Sequence, residues 1–341
     1  MNLADFAARN AFLVTVLVGL ALVARAEDAS PKEPAPKSAP SGFRIDREKG
    51  VIVVKGPSGV EALRYQLEKP ADSKLSVESA CYFHPFATPS GVPVTEVAPQ
   101  DHLHHRGVFL AWVEMHGKKA GDFWGWGEPV TKDGRKIVHR DVTDIVAGSD
   151  GASFRARNEW LADGTLLVKE DLRVKVKAKE KAHVVDLFYT FTVDAGMTLE
   201  QWAFSGFCVR CRKDGEVQAE GPKGQVRLLD PKHTDPRTDW PAELWYAFTL
   251  KLEGDKTVSV AVLDHPQNPP TLWHNNRGLR MLNPCVVAPG RIQLTPRKPL
   301  ILRYRVVAAD GPTSKPALTE LLDEWQQIKY PADDASTSAS R

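Results

Sequence analysis

The residues best suited to chemistry lie in one short run, Asp101-His102-Leu103-His104-His105-Arg106-Gly107. Five of the chain's ten histidines (His84, His102, His104, His105 and His116) fall between residues 84 and 116, far more than an even scatter would place there. Imidazole is the side chain that titrates near neutrality and also binds divalent metals, so three uses compete. On an extended chain, His102 and His104 at i, i+2 point the same way and form half of a divalent-metal site, which Asp101 or His84 completes. Alternatively His104 or His105 is a general acid or base, with Asp101 as its orienter and Arg106 steadying developing oxyanion charge. The third use is structural, each ring bonded to backbone at a crowded strand entry.

Segments around this run suggest what a cleft would hold. Phe83-His84-Pro85-Phe86-Ala87-Thr88-Pro89 is a proline-bracketed loop, and Asp122-Phe123-Trp124-Gly125-Trp126-Gly127-Glu128 sets two indoles beside two carboxylates. Flat aromatic faces next to acids suit a pyranose, although the same indoles also serve as core caps. Further on, Arg210 is placed to clamp a carboxylate or sugar oxygen, and His265 and Asn268 lie on a second polar turn. The expected binding set is therefore His84, Asp122, Trp124, Arg210, His265 and Asn268. Cys208 and Cys211 have CxxC spacing but fall on opposite faces of a strand, against a zinc ribbon or redox motif. With Cys81 and Cys285 they allow up to two disulfides. Serine-hydrolase, zinc-protease, P-loop and dinucleotide signatures are missing.

The elements that must hold these groups read as sheet. In Leu166–Ala178 apolar even positions alternate with charged odd ones. Val185–Val193 repeats the pattern with switched parity, predicting a long antiparallel hairpin with one wet face. Further strands are expected at Val51–Val54, Ile137–Val146, Trp245–Leu252, Thr257–Leu263 and Leu300–Val307. Val108–Val113 is apolar on both faces, as a strand covered on both sides should be. One helix is expected at Pro316–Ile328, with Leu318, Leu321, Leu322, Trp325 and Ile328 in a single stripe. The sum is an all-β fold, a large antiparallel β-sandwich with one C-terminal helix.

Lys and Arg total 45 against 43 Asp and Glu in 341 residues, which leaves no global charge with which to bind nucleic acid. Residues 1–26 read as a signal peptide: the apolar run Ala11–Val23 is too short to span a bilayer, and Ala24-Arg25-Ala26 offers a cleavage site. Residues 27–42 form a proline-rich linker, 43–330 one domain and 331–341 a polar tail. Export to the periplasm or beyond is expected, with no membrane span once the signal is removed.

Over most of residues 43–311 the chain resembles a family of exported bacterial proteins known as PmoA-like, or "methane oxygenase PmoA". The resemblance is carried by Tyr82–Gly91, by Asp101–Gly107 running into Phe109–Trp112, and by Asp122-Phe123-Trp124. Asp264-His265-Pro266-Gln267-Asn268 and Leu302–Val307 also fit. The name is not literal, because an oxygenase subunit in a membrane needs several long apolar spans. What the resemblance implies is a galactose-mutarotase-like supersandwich and a carbohydrate or sugar-derived small molecule as partner. The resulting expectation is an exported carbohydrate-active protein, acting on a glycoside or oxidised sugar by histidine and carboxylate acid–base chemistry. A non-catalytic glycan-binding module and a metal-dependent enzyme using His102 and His104 are the alternatives; the cofactor is left open, a divalent metal being the candidate.

Overall fold

The computed structural model describes residues 42–227, 230–231 and 240–328; the expected signal peptide, nearly all of the expected linker and the expected tail lie outside them. Two antiparallel sheets dominate. The first has seven strands in the order Arg44–Glu48, Val51–Lys55, Glu61–Gln66, Tyr82–Phe86, Val108–Ala111, Gly206–Arg210 and Met281–Leu282. The second has nine, in the order Gly224–Val226, Glu216–Gly221, Trp245–Lys251, Thr257–Asp264, Leu300–Asp310, Ala182–Thr192, Thr165–Lys179, Ala152–Ala162 and Arg135–Ala147. They pack face to face around one apolar cluster: Phe207 of the first stacks on Tyr304 of the second at 4.1 Å, and Tyr65 meets Phe154 at 5.7 Å. This is the expected sandwich, since each sheet must bury an apolar face.

Thr165–Lys179 and Ala182–Thr192 form the predicted hairpin, closed by a two-residue turn in which Glu180 has positive φ. Its second strand has no wet face, however. Every residue from His183 to Phe191 is buried, because the C-terminal helix Lys315–Gln327 covers the side that alternation assigned to solvent. Val184 and Phe188 join Leu318, Leu321 and Trp325 in a second apolar cluster there. The helix starts where Ser314 accepts the Ala317 N–H, an N-cap with proline in the first turn. Two polar residues on that face are matched rather than hydrated. Arg305 donates to both oxygens of the cross-strand Asp186 (2.6 and 2.9 Å) and also to the Leu321 carbonyl, tying sheet to helix.

The cysteines form no disulfide: all four are free thiols, and Cys208, Cys211 and Cys285 are buried. Among the described residues no helix is long and apolar enough to cross a membrane.

Candidate functional site

Val108–Ala111 is buried on both faces, as its sequence requires. One face joins the sandwich core, and the other lies under loops that contain the histidine run. Cross-strand pairing sets Cys208 opposite Phe109, and Arg210, two residues along, shares their face. Phe207 and Val209 have the opposite parity and point into the sandwich. Arg210 is thus presented from the sheet floor to the loops above it, and it is fully buried.

The loops fold over this floor in a specific way. Residues 101–105 are not extended; the His105 N–H bonds the His102 carbonyl at 2.9 Å, closing a tight turn. The i, i+2 argument for parallel His102 and His104 rings therefore fails. It is His102 and His105 that stack (4.8 Å, 25°), while His104 stands edge-on to His105 at 4.7 Å. Nor is any group of three or more His, Cys, Asp or Glu among the described residues arranged to hold a metal ion. Two glycines make the packing possible. Gly107 has φ +62°, and a Cβ there would lie 2.2 Å from the Phe83 carbonyl. At Gly125 (φ +109°) a Cβ would press on Val77 and His104.

Arg210 organises one side of the site. It donates to both oxygens of Asp101 (3.0 and 3.2 Å) and to Nδ1 of His105 at 3.1 Å. A guanidinium can only donate, so His105 Nδ1 is the acceptor and the neutral ring carries its proton on Nε2. Lys213 adds a bond to Asp101 at 3.0 Å. Burial disfavours the Asp101 anion, yet the hydrogen bond from Lys213 and the charge and bonds of Arg210 hold it well below the usual carboxylate range. Asp101, expected to orient His104 or His105, meets His105 only by way of Arg210. The Glu96 carboxyl lies 3.8 Å from Arg210 Nε and is raised by burial, only partly offset by that guanidinium. Glu96 and Lys213 were not legible as site residues, since each reaches the cluster from a separate loop without a local motif.

A small hollow opens beside these groups. His102, His104, His105, Trp124, Trp126 and Phe204 line it together with Leu279 and Met281. It measures about 220 Å3 including its mouth, and the space inside for water-sized bodies is about 10 Å3. Trp126 is 39% exposed at the rim, whereas Trp124 is wholly buried. Nε2 of His104 and Nε1 of Trp124 are buried without a hydrogen-bond partner among the described residues. Burial, with the neighbouring His102, Arg106, Lys132 and Arg210, lowers the proton affinity of His104 to a pKa of about 3. Burial and then His104 and Arg210 push His105 down as well. Both rings are therefore neutral imidazoles at neutral pH.

Other expected residues do different work. Arg106 faces no open cleft: it is buried and bonds the carbonyls of His104, Trp124 and Phe123 at 3.0–3.2 Å. Asp122 spends both carboxylate oxygens on the N–H groups of Gly125 and Gly127, shaping the indole loop rather than meeting a ligand. His84 bonds Thr95 Oγ1 at 3.0 Å and does not line the hollow. His265 directly follows the strand Thr257–Asp264 of the nine-stranded sheet, its ring against Trp325 at 5.2 Å, and it does not line the hollow. Asn268 is bound to Asp264 and to both backbone groups of Arg303, as a turn staple.

A family model described as "Family of unknown function (DUF6807)" matches residues 55–323. No curated protein matches at a significant level. Among solved structures, a GH36 α-galactosidase from Geobacillus stearothermophilus aligns at 7% identity and TM-score 0.37, over 79% of this chain and 41% of that enzyme. The chain thus spans about two fifths of the galactosidase's length. A GalM/aldose epimerase homologue from C. elegans aligns at 10% identity and TM-score 0.32, covering 79% of this chain and 99% of that one.

Proposed function

The chain belongs to the family of unknown function DUF6807, a membership that brings no activity with it, and we propose from the site alone that this is an exported carbohydrate-active protein. A glycoside or oxidised sugar would lie with its C–H face on Trp126 and send one polar group into the hollow toward His104. His104 would serve as the base, and the Asp101–Arg210–His105 array would keep the neighbouring ring in a single tautomer. The observation that carries this reading is the pairing of an exposed indole at the rim with two buried, unpartnered nitrogens, His104 Nε2 and Trp124 Nε1. Unpartnered buried nitrogens occur elsewhere too, as at Trp240 and Trp325; at the hollow they coincide with an exposed indole, the combination of convergent polar groups and an aromatic face that a ligand-binding site provides.

The test is product analysis against a panel of glycosides and oxidised sugars. Replacing a positioned acid–base group typically slows turnover by about 10²–10⁴-fold, and His104→Ala is expected to fall in that range. Unchanged turnover of the true substrate by this variant would remove His104 from the chemistry. One observation favours a second reading, a glycan-binding module without turnover: an imidazole with a pKa of about 3 is a weak base and holds no proton to donate at neutral pH. Sugar binding in a calorimeter with no product formed would establish that alternative. Export is supported by the sequence of residues 1–26, and a mature chain beginning at Glu27 is the result expected from N-terminal sequencing.

A further inference from the structure

Resting on that reading of the hollow, we infer that the group entering it is an anion: a carboxylate borne on a hydroxylated ring, as in a uronic or aldonic acid. The argument begins with Arg106. Its guanidinium is 1% exposed, and its hydrogen bonds run to three backbone carbonyls and to no carboxylate. Nε has no partner among the described residues, and the group lies 4.4 Å from the Phe109 ring centroid. Buried charges in proteins are ordinarily paired, because an isolated one forfeits hydration without recompense. Asp122, the acid on the adjacent loop, offsets this charge through space, but its two oxygens are committed to Gly125 and Gly127 and it makes no hydrogen bond to the guanidinium.

Two of the carbonyls that Arg106 grips belong to His104 and Trp124, the residues with unpartnered nitrogens at the hollow. The cation therefore sits directly beneath the lining. No acidic residue lines the hollow. What the lining offers is donors: the Trp124 indole N–H can only donate, and His105, with Nδ1 occupied by Arg210, carries its proton on Nε2. An acceptor with negative charge satisfies these donors and adds to the partial compensation that Asp122 gives Arg106; a hydroxyl does only the first. Room for about one water limits the entering atom to a single oxygen and leaves the sugar ring outside, against Trp126.

Calorimetric titration of the intact protein with glucuronate and galacturonate, against glucose, galactose and acetate, tests this. The uronates are expected to bind at least about tenfold more tightly than the matching neutral sugars, a difference of about 1.4 kcal/mol. Arg106→Met is expected to bring that ratio toward one. Should that variant not fold, Trp124→Phe removes one donor while keeping an aromatic ring, and the ratio should fall by about threefold or more, the loss of a hydrogen bond to a charged group. Neutral sugars binding as well as uronates would overturn the anion while leaving the carbohydrate site intact. Acetate binding as tightly as uronate would support the anion and overturn the role of the sugar ring. A titration in which none of these ligands binds would overturn both, and so would a folded Arg106→Met that keeps the full uronate preference overturn the anion.

Discussion

Two buried arginines show how differently the two sheets of this protein use the same side chain. Arg305, on the nine-stranded sheet, is fully buried and locked to Asp186 by two parallel bonds, with a third to the helix and Trp325 stacked at 5.0 Å. Arg106, under the loops on the seven-stranded sheet, is buried as deeply but answers only to carbonyls. One region pairs its charges by direct hydrogen bonds; in the other, Asp122 acts on Arg106 only through space. The lesson is that burial of a charge does not mark a site, whereas burial without a hydrogen-bonded counter-charge points to one.

The comparison breaks first at Arg305. Arg305→Ala leaves the Asp186 carboxyl buried under the helix without its bidentate partner, and destabilisation by about 3–5 kcal/mol is expected from urea unfolding. Replacing both partners, Arg305→Met with Asp186→Leu, should recover most of that loss, because it removes the orphaned charge along with the bond. If the double variant is no better than the single one, the pair is not an isolated lock. Arg106→Met strands carbonyls and takes only a through-space partner from Asp122, so a smaller loss, about 1–3 kcal/mol, is expected in the same experiment.

How far the sequence revealed this contrast depends on the range of the interaction. Alternation in Leu166–Ala178 gave the strand Thr165–Lys179, and the stripe Leu318, Leu321, Trp325 gave the helix Lys315–Gln327, because periodicity is local. It failed in Ala182–Thr192, where Asp186 looked like a solvent residue; no local signal says that a helix 130 residues later covers it. The site shows the same division. His102, His104, His105 and Trp124 stood out by clustering and do share a hollow. His84, His265, Asp122 and Asn268 stood out equally, yet each is taken up by structural contacts away from the hollow. Glu96 and Lys213 reach Arg210 and Asp101 only through tertiary folding, and nothing in their neighbours marks them.

A buried acid extends the comparison to pH. Glu170 accepts from Asn158 Nδ2 and Trp160 Nε1, both at 2.8 Å, in the sandwich interior, and burial pushes it up to about 7. Its folded pKa exceeds the ordinary 4.5, so its contribution to stability is complete below about 4.5 and is lost as pH rises toward 7. The size is on the order of 3 kcal/mol. Buried imidazoles act in the opposite direction. His104 (about 3) and His84 (about 4) are depressed by burial, so their contribution is full above about 6.5 and fades as pH falls toward those values. Wild-type stability mixes both trends, and the informative quantity is the difference from Glu170→Gln. Relative to wild type, that variant should gain on the order of 2–3 kcal/mol between pH 4.5 and 7.5, read from urea midpoints. A difference that stays flat with pH would mean that the two donors keep Glu170 ionised throughout.

The smallest effect on stability is expected at the rim. Trp126 is the one indole of the loop left substantially exposed, touching His104 at 6.4 Å and Phe204 at 5.4 Å between ring centres. Its removal uncovers little core, so Trp126→Ala should unfold within about 1 kcal/mol of wild type. If the open side of the molecule is open for a ligand, sugar affinity should nonetheless fall by about tenfold or more, since an exposed aromatic platform contributes through stacking and desolvation rather than to the fold. A Trp126→Ala protein that keeps its affinity but melts several degrees lower would reverse the assignment, making the indole a lid on the core. Arg106 would then be a buried charge tolerated for packing, and the contrast with Arg305 would reduce to one of hydrogen-bond geometry.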